Sequence, residues 1–420
     1  MMKTMYQYAA ILGHQSHLSL AELAATIPGF NLESIEQKVV VLFSSSHPLS
    51  QDSMDQLGGT ILLAERITTA DVTMADIPKI MNNEVKSVKK KVTFGLRCFG
   101  VPRPLVKTAY IKGKQIMKDQ KRSCRYVGNE KKAAATALLH GAQILTGKKG
   151  VEIFIVQVKN SLWIGKTIAA QNIDEYTWRD MEKPVRDTTV GLLPPKLAQI
   201  MLNLGAFMVR TPPDPKRKKL KKEIYTVLDP FCGTGVIPLE CLLRGWHILA
   251  SDVAAKAVSG TQKNLDWIRK EKKILKKDVS EKVEKHDAEK AFSHKTLPDI
   301  VVTETSLGPN LERNANSRDA TKMRNDNEKL QAAFLKNAAA TLPGVPLVCT
   351  WPFWRVKGEA IHLEKIWKVL DEAGYEAVLP DGIDGTSPER PTLLYQRTGQ
   401  FVGREVVMLK PKPSEELESK

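Results

Sequence analysis

The chain has 420 residues, 42% hydrophobic and 26% charged, with 63 Lys and Arg against 47 Asp and Glu and a formal charge of +16. At roughly 100 to 200 residues per domain it is too long for a single core, and no apolar run approaches the ~20 residues that would cross a bilayer. Five scattered cysteines without a C-x-x-C pair argue against a zinc cage or a disulfide framework, and fit a metal-free, reducing, cytoplasmic setting.

The first 75 residues are nearly neutral and alternate in pattern. Tyr6 to Gly13 (YQYAAILG) is strand-like, SLAELAATI has helical spacing, KVVVLFSS is a strand, DSMDQLGG a helix and TILLAERI a strand, giving a small α/β unit over 1–75. The opening residues are broken by polar groups and lack a cleavage site, which argues against a secretory leader. A basic unit over 76–172 follows. KVTFGLRCFG alternates as a strand, RPLVKTAYIKGKQIMKDQ carries apolar residues at helical intervals, and EKKAAATALLHGAQIL is predicted as a long helix. VEIFIVQVKNSLWIGKTIAAQ reads as two strands joined at Lys159 and Asn160.

Residues 173–192 are polar and are expected to be a linker. A proline pair then opens a helix in LPPKLAQIMLNLGAF, and RTPPDPKRKKLKKE is an exposed connector. From Ile224 strand and helix alternate through YTVLDP, GVIPLECLLRG, WHILASD, DIVVTET and PLVCTWPFW, with a helix expected from Glu359 to Gly374 and closing strands around EAVL and REVVMLK. That is a doubly wound α/β domain over 193–411, followed by a tail at 412–420 expected to be disordered.

The chemistry gathers at LDPFCGTGVIPLECL, Leu228 to Leu242. In a doubly wound sheet, ligands lie at the carboxyl ends of the strands. Asp229 ends the first strand of this domain, and Gly233 and Gly235 let backbone pass a ligand with no Cβ in the way. The loop lacks the lysine and the spacing of a phosphate cradle. An acid beside it suits a ligand with an ammonium group, as in S-adenosylmethionine. Asp252 stands 23 residues beyond Asp229 at the next strand end, where an acid commonly pairs with ribose hydroxyls. Asp287 follows the weakly patterned third strand and is placed either to meet an adenine amine or to cap a helix.

These residues resemble a known family. DPFCGTG looks like the cofactor motif of the Rossmann-fold methyltransferases with a THUMP domain that modify guanosine N2 in tRNA. YTWRDMEKPVRDTTVGLLPPKLAQIMLNLGA (Tyr176 to Ala206) is similar to the segment leading into their catalytic domain, and YAAILGHQSHLSLAELAA and LGGTILLAERI to their N-terminal segment. The resemblance implies a ferredoxin-like domain at 1–75, a THUMP-like domain at 76–172 that grips tRNA, and a methyltransferase domain at 193–411. It implies that Asp229, Pro230, Gly233 and Gly235 hold the methionine part of the cofactor, Asp252 the ribose and Asp287 the adenine, while Pro194, Pro195 and Lys196 lie where the preceding helix covers it. Whether a small activating subunit is needed stays open.

An exocyclic guanine amine is a poor nucleophile, so such enzymes orient it, commonly with D/N-P-P-Y/F after the fourth strand, where the ring stacks on an extruded base. This chain departs from that motif. TETSLGP (Thr303 to Pro309) has no proline pair and no aromatic. Glu304 can serve as the acceptor carboxylate, Ser306 can add a hydroxyl, and Gly308 with Pro309 can rebuild a turn. Trp351, Phe353 and Trp354 either supply the missing ring or belong to the core.

Two other readings stand beside methylation of guanosine N2: an amine methyltransferase acting on another nucleobase, and a catalytically degenerate RNA-binding protein that only binds the cofactor. The net charge favours polyanions. Arg97, Arg103, Lys107, Lys112, Lys114, Lys121, Arg122 and Arg125 are candidates for a phosphate-tracking face on tRNA, read by shape and backbone.

Overall fold

A computed structural model describes residues 5–89, 91–129, 131–187, 192–210, 223–308 and 317–413. The chain divides into two compact units, Met1–Thr177 and Trp178–Lys420.

In the first unit, β1 (Tyr6–Leu12), α1 (Ser16–Thr26), β2 (Asn31–Glu36), β3 (Val40–Ser45), α2 (Gln51–Asp55) and β4 (Thr60–Thr68) pair antiparallel as β2-β3-β1-β4, a ferredoxin-like arrangement. Then α3 (Ile77–Glu84), β5 (Val92–Phe99), α4 (Arg103–Asp119), β6 (Cys124–Val127), α5 (Thr136–Gly141), β7 (Gly150–Val158) and β8 (Ser161–Ala170) extend the same sheet, because β8 pairs with β4. The boundary expected after residue 75 thus falls inside one continuous sheet of order β2-β3-β1-β4-β8-β7-β5-β6.

The long helix expected over Glu130 to Leu145 shrinks to α5, with β6 ahead of it. Ala135 is extended (φ −64°, ψ 150°) and Gln143 is left-handed (φ 53°), which confines the helix between them. Ahead of it the side-chain oxygen of Asn129 accepts from the N–H groups of Lys131 and Lys132, both at 2.8 Å, in a local turn. Residues 173–181, expected as linker, instead form α6 (Ile173–Met181), and Arg179 of that helix is buried against Glu240 at 2.7 Å.

In the second unit the elements are α7 (Pro195–Val209), β9 (Thr226–Asp229), α8 (Val236–Arg244), β10 (His247–Asp252), α9 (Ala255–Lys272), β11 (Glu281–Lys285), β12 (Ile300–Glu304), α10 (Ser317–Thr341), β13 (Leu347–Val356), β14 (Glu359–Ile361), α11 (Ile366–Glu372), β15 (Tyr375–Val378), β16 (Leu393–Tyr395) and β17 (Val402–Pro411). The sheet runs β11-β10-β9-β12-β13-β17-β15, parallel from β11 to β13, with β17 antiparallel to its neighbours. The strand order reverses between β9 and β12. That switch point opens a crevice at the strands' carboxyl ends, where Asp229, Asp252 and Glu304 stand.

The helix expected from Glu359 to Gly374 is β14 followed by α11. Lys357 (φ 50°) and Gly358 (φ 91°) make a two-residue left-handed turn, which folds residues 359–361 back along β13 as a hairpin. α7 is buried over most of its length, and Gly205 lets it approach β12 closely, since a Cβ there would lie 2.1 Å from Ile300 Cδ1. Trp351, Phe353 and Trp354 are completely buried on β13, so the reading of them as a stacking surface is corrected: they are core.

Lys412 N–H donates to the Gly374 carbonyl at 2.8 Å, so the ordered chain passes the expected start of the tail. Residues 414–420, all of KRKKLKK with the residues before it (211–222), and Pro309 lie outside the described residues. No described helix is long and apolar enough to cross a membrane.

Candidate active site

Hydrophobic β9 carries Asp229 into the interior, where its carboxyl is only 2% exposed. Thr303 Oγ1, from β12, donates to Asp229 Oδ1 at 2.6 Å, and the N–H of Phe231 reaches the same oxygen at 3.4 Å. Burial pushes the carboxyl up to about 7, against these two hydrogen bonds, with Asp252 and Glu304 adding repulsion.

The loop after Asp229 turns on its two glycines. Gly233 has φ 53° and Gly235 φ 83°, conformations that side chains of L-residues adopt at a cost. They differ in surroundings. A Cβ on Gly235 would lie 2.9 Å from Thr261 Cγ2, whereas one on Gly233 would meet no heavy atom within 4 Å. Gly235 is therefore packed against α9, and Gly233 borders open space. Thr261 Oγ1 donates to the Gly233 carbonyl at 2.9 Å, and Asn264 Nδ2 to that of Thr234 at 2.8 Å, so α9 holds the loop. Pro230 begins the turn and is buried.

Asp252 accepts from Gly233 N–H at 3.0 Å and from Ala254 N–H at 2.9 Å, which ties the second strand end to the loop. Its carbonyl accepts from His286 N–H at 3.1 Å, bringing the residue before Asp287 alongside. Asp287 accepts from Glu289 N–H at 3.0 Å. No helix follows, so it caps a turn rather than a helix.

Glu304 ends β12, as expected, and there it meets a residue the sequence did not point to. Arg404 Nε donates to Glu304 Oε1, and Arg404 Nη2 to the Leu192 carbonyl at 3.4 Å. Burial pushes the Glu304 carboxyl up, and the Arg404 charge and hydrogen bond oppose the shift. Ser306 is exposed, and its hydroxyl accepts from Gly308 N–H at 3.3 Å. Pro194 stands before the first turn of α7, where Pro195 fits the first helical position. Burial lowers the pKa of Lys196 on that turn, and the nearby Arg179 charge adds to the effect.

The basic candidates separate in the structure. Arg97 is half-buried: it forks onto Glu152, which is fully buried, at 3.0 Å through two nitrogens, and reaches the Ala134 carbonyl. Arg122 is spent on the Val85 and Val88 carbonyls. Both guanidinium groups therefore have partners within the fold, a glutamate for Arg97 and backbone carbonyls for each. Arg103, Lys107 and Lys114 share a stripe of α4 by helical spacing, with Tyr110 between them and Lys114 Nζ 5.9 Å from the Tyr110 ring centre. Lys112 falls about half a turn round the helix. Lys121 and Arg125 are exposed near β6.

Thr303, Thr261 and Arg404 were missed from the sequence. Thr303 carried a signal, a hydroxyl next to the acceptor acid; Arg404 lies 100 residues from Glu304 and carried none.

Residues 218–296 match the protein family described as Conserved hypothetical protein 95. The chain is similar to the tRNA (guanine(10)-N2)-dimethyltransferase of Methanocaldococcus jannaschii, 27% identical over 173 residues, which cover 40% of this chain and 43% of that protein. The protein of the same name from Methanothermobacter thermautotrophicus is 36% identical over 75 residues, 18% of either chain. The matches thus span less than half the length of these curated relatives. Among solved structures, TrmN from Thermus thermophilus is 14% identical, covering 97% of this chain and all of that one at a TM-score of 0.49. A possible methylase from Clostridium difficile 630 is 11% identical over 98% of this chain and 99% of that one, at 0.45. The resemblance seen in the sequence to tRNA guanosine N2-methyltransferases is found again in curated relatives of that name.

Proposed function

We propose that this chain is an S-adenosylmethionine-dependent methyltransferase that acts on the exocyclic N2 amine of a guanosine in tRNA. The observation that carries the reading is Asp229: a buried carboxyl, poised near neutrality, beneath a glycine loop whose Gly233 faces open space. A cationic ligand seated there favours the ionised carboxylate, and the ammonium of the cofactor is such a cation. Asp229, Pro230, Gly233 and Gly235 would hold its methionine part, Asp252 the ribose and Asp287 the adenine, with Pro194 and Lys196 of the α7 entry nearby. Bound there, the cofactor supplies an electrophilic sulfonium methyl.

The protein's own part is orientation and hydrogen bonding. Glu304 accepts from the guanine amine, fixing its lone pair in line, and Ser306 adds a hydroxyl. The unit at 1–75 would be the ferredoxin-like module and that at 76–172 the THUMP-like one. Its stripe of Arg103, Lys107 and Lys114, with Lys121, Arg125 and Lys112, would track tRNA phosphates. A cytoplasmic setting belongs to this reading, supported by five free cysteine thiols.

One observation favours a second reading. A Glu304 carboxylate already paired with Arg404 has less capacity to take up a proton, as in a degenerate, cofactor-binding RNA-binding protein. Transfer of labelled methyl to tRNA, followed by nucleoside analysis, separates the two.

A further inference from the structure

We propose that Tyr395 is the aromatic surface on which the target guanine stacks, in place of the ring absent after Glu304. The inference rests on the methyltransferase reading above. A base drawn out of its helix loses its stacking neighbours, and such sites commonly offer a side-chain ring instead. Thr305 to Gly308 supply none. Trp351, Phe353 and Trp354 are sealed in the core, and Phe231 of the glycine loop packs edge-on against Phe334 at 5.3 Å.

Tyr395 meets the requirement from another strand. It is half-buried on β16, directly opposite Arg404 of β17 in the antiparallel register. The Arg404 guanidinium lies 5.7 Å from the Tyr395 ring centre and at the same time binds Glu304. One guanidinium therefore joins the ring to the carboxylate that would accept from the amine. Arg404 also pairs in register with Pro352, two residues beyond Thr350, the partner of Glu304, so the ring belongs to the carboxyl edge of the sheet where ligands lie. Arg397 Nε donates to the Tyr395 hydroxyl at 2.9 Å, and Arg355, Gln396, Arg397 and Phe401 line an adjoining shallow cavity of about 450 Å³. Two arginines there suit the phosphates flanking an extruded nucleotide.

The test compares Tyr395→Leu and Tyr395→Phe with wild type, reading kcat/KM for tRNA, cofactor affinity by calorimetry and the melting temperature. Base stacking on a side-chain ring predicts a fall of about tenfold to a hundredfold in kcat/KM for Tyr395→Leu. Cofactor affinity and melting should stay unchanged, and Tyr395→Phe should return kcat/KM to within about twofold of wild type. An unchanged kcat/KM in Tyr395→Leu, or a parallel loss of cofactor affinity, overturns the inference. A readout independent of turnover keeps this apart from the functional reading: tRNA carrying 6-thioguanosine, irradiated on the protein, should crosslink to the peptide containing Tyr395 and lose that crosslink in Tyr395→Leu. Absence of the crosslink overturns the stacking role whether or not methyl is transferred, whereas absence of methyl transfer with the crosslink present counts against the enzyme reading alone.

Discussion

Thr303 Oγ1 donates to Asp229 Oδ1 at 2.6 Å, joining the strand that ends in Glu304 to the acid beneath the glycine loop. Replacing Thr303 by Val keeps the shape and removes the donor from a buried carboxylate. A hydrogen bond to a charged group contributes about 1.5–3 kcal/mol. Thr303→Val should therefore weaken cofactor binding at pH 7 by about tenfold or more, measured by calorimetry; equal affinity would mean that the hydroxyl does not support the ionised Asp229.

The titration of Asp229 sets a pH dependence with a definite sign. Its carboxyl lies near 4 in an unfolded chain and is pushed up to about 7 by burial in the fold. Between those values the native state holds a proton that the unfolded state has lost, so on this group's account the free protein loses stability as pH rises from about 4 to about 7. A cationic ligand prefers the ionised form. Cofactor affinity should thus climb as pH rises towards about 7, and binding at pH 6 should release a proton, seen as a dependence of calorimetric heat on buffer ionisation enthalpy. Asp229→Asn should abolish that proton release; a flat affinity between pH 5 and 8 in wild type would contradict the assignment.

The two loop glycines should fail in different ways. In Gly235→Ala a left-handed φ combines with a clash on Thr261, which should destabilise the fold by about 2–4 kcal/mol. Gly233→Ala carries the backbone strain, about 1–2 kcal/mol, without the clash. Its new methyl enters the open space beside the loop, so it should lower cofactor affinity out of proportion to its effect on melting. Thermal melts and calorimetry on both variants check the contrast.

Arg404 controls the charge of Glu304. Arg404→Met leaves a buried carboxyl without its counter-charge, so the carboxyl should move still further up and the acid limb of the methyl-transfer rate profile should shift to higher pH. Arg404→Lys should hold the limb near its wild-type position. Faster transfer in Arg404→Met at pH 7 would show instead that the guanidinium blocks the carboxylate.

Much of this was legible in the sequence because the signals are local. Asp229, the glycine pair and Asp252 sit at strand ends defined by short apolar runs, and the alternation after Ile224 gave the doubly wound sheet. The failures share a cause. The α5 region was overread because the backbone is extended at Ala135 and left-handed at Gln143, and residues 359–361 because a two-residue left-handed turn sends them back along β13. Arg97 and Arg122 count as surface charge in a composition, yet their partners are a glutamate and backbone carbonyls that only the folded chain brings near. The Arg404–Glu304 pair depends on β17 lying two strands from β12, a fact of topology rather than spacing.

The central claim meets its most direct test when purified protein is incubated with S-adenosylmethionine labelled in the methyl group and unmodified tRNA, and the nucleosides are then resolved. The account predicts labelled N2-methylguanosine in wild type, lost in Asp229→Ala with the cofactor and lost in Glu304→Gln while the cofactor still binds. Cofactor binding by the wild-type protein with no label in any nucleoside, or label on a base other than guanine, would contradict it.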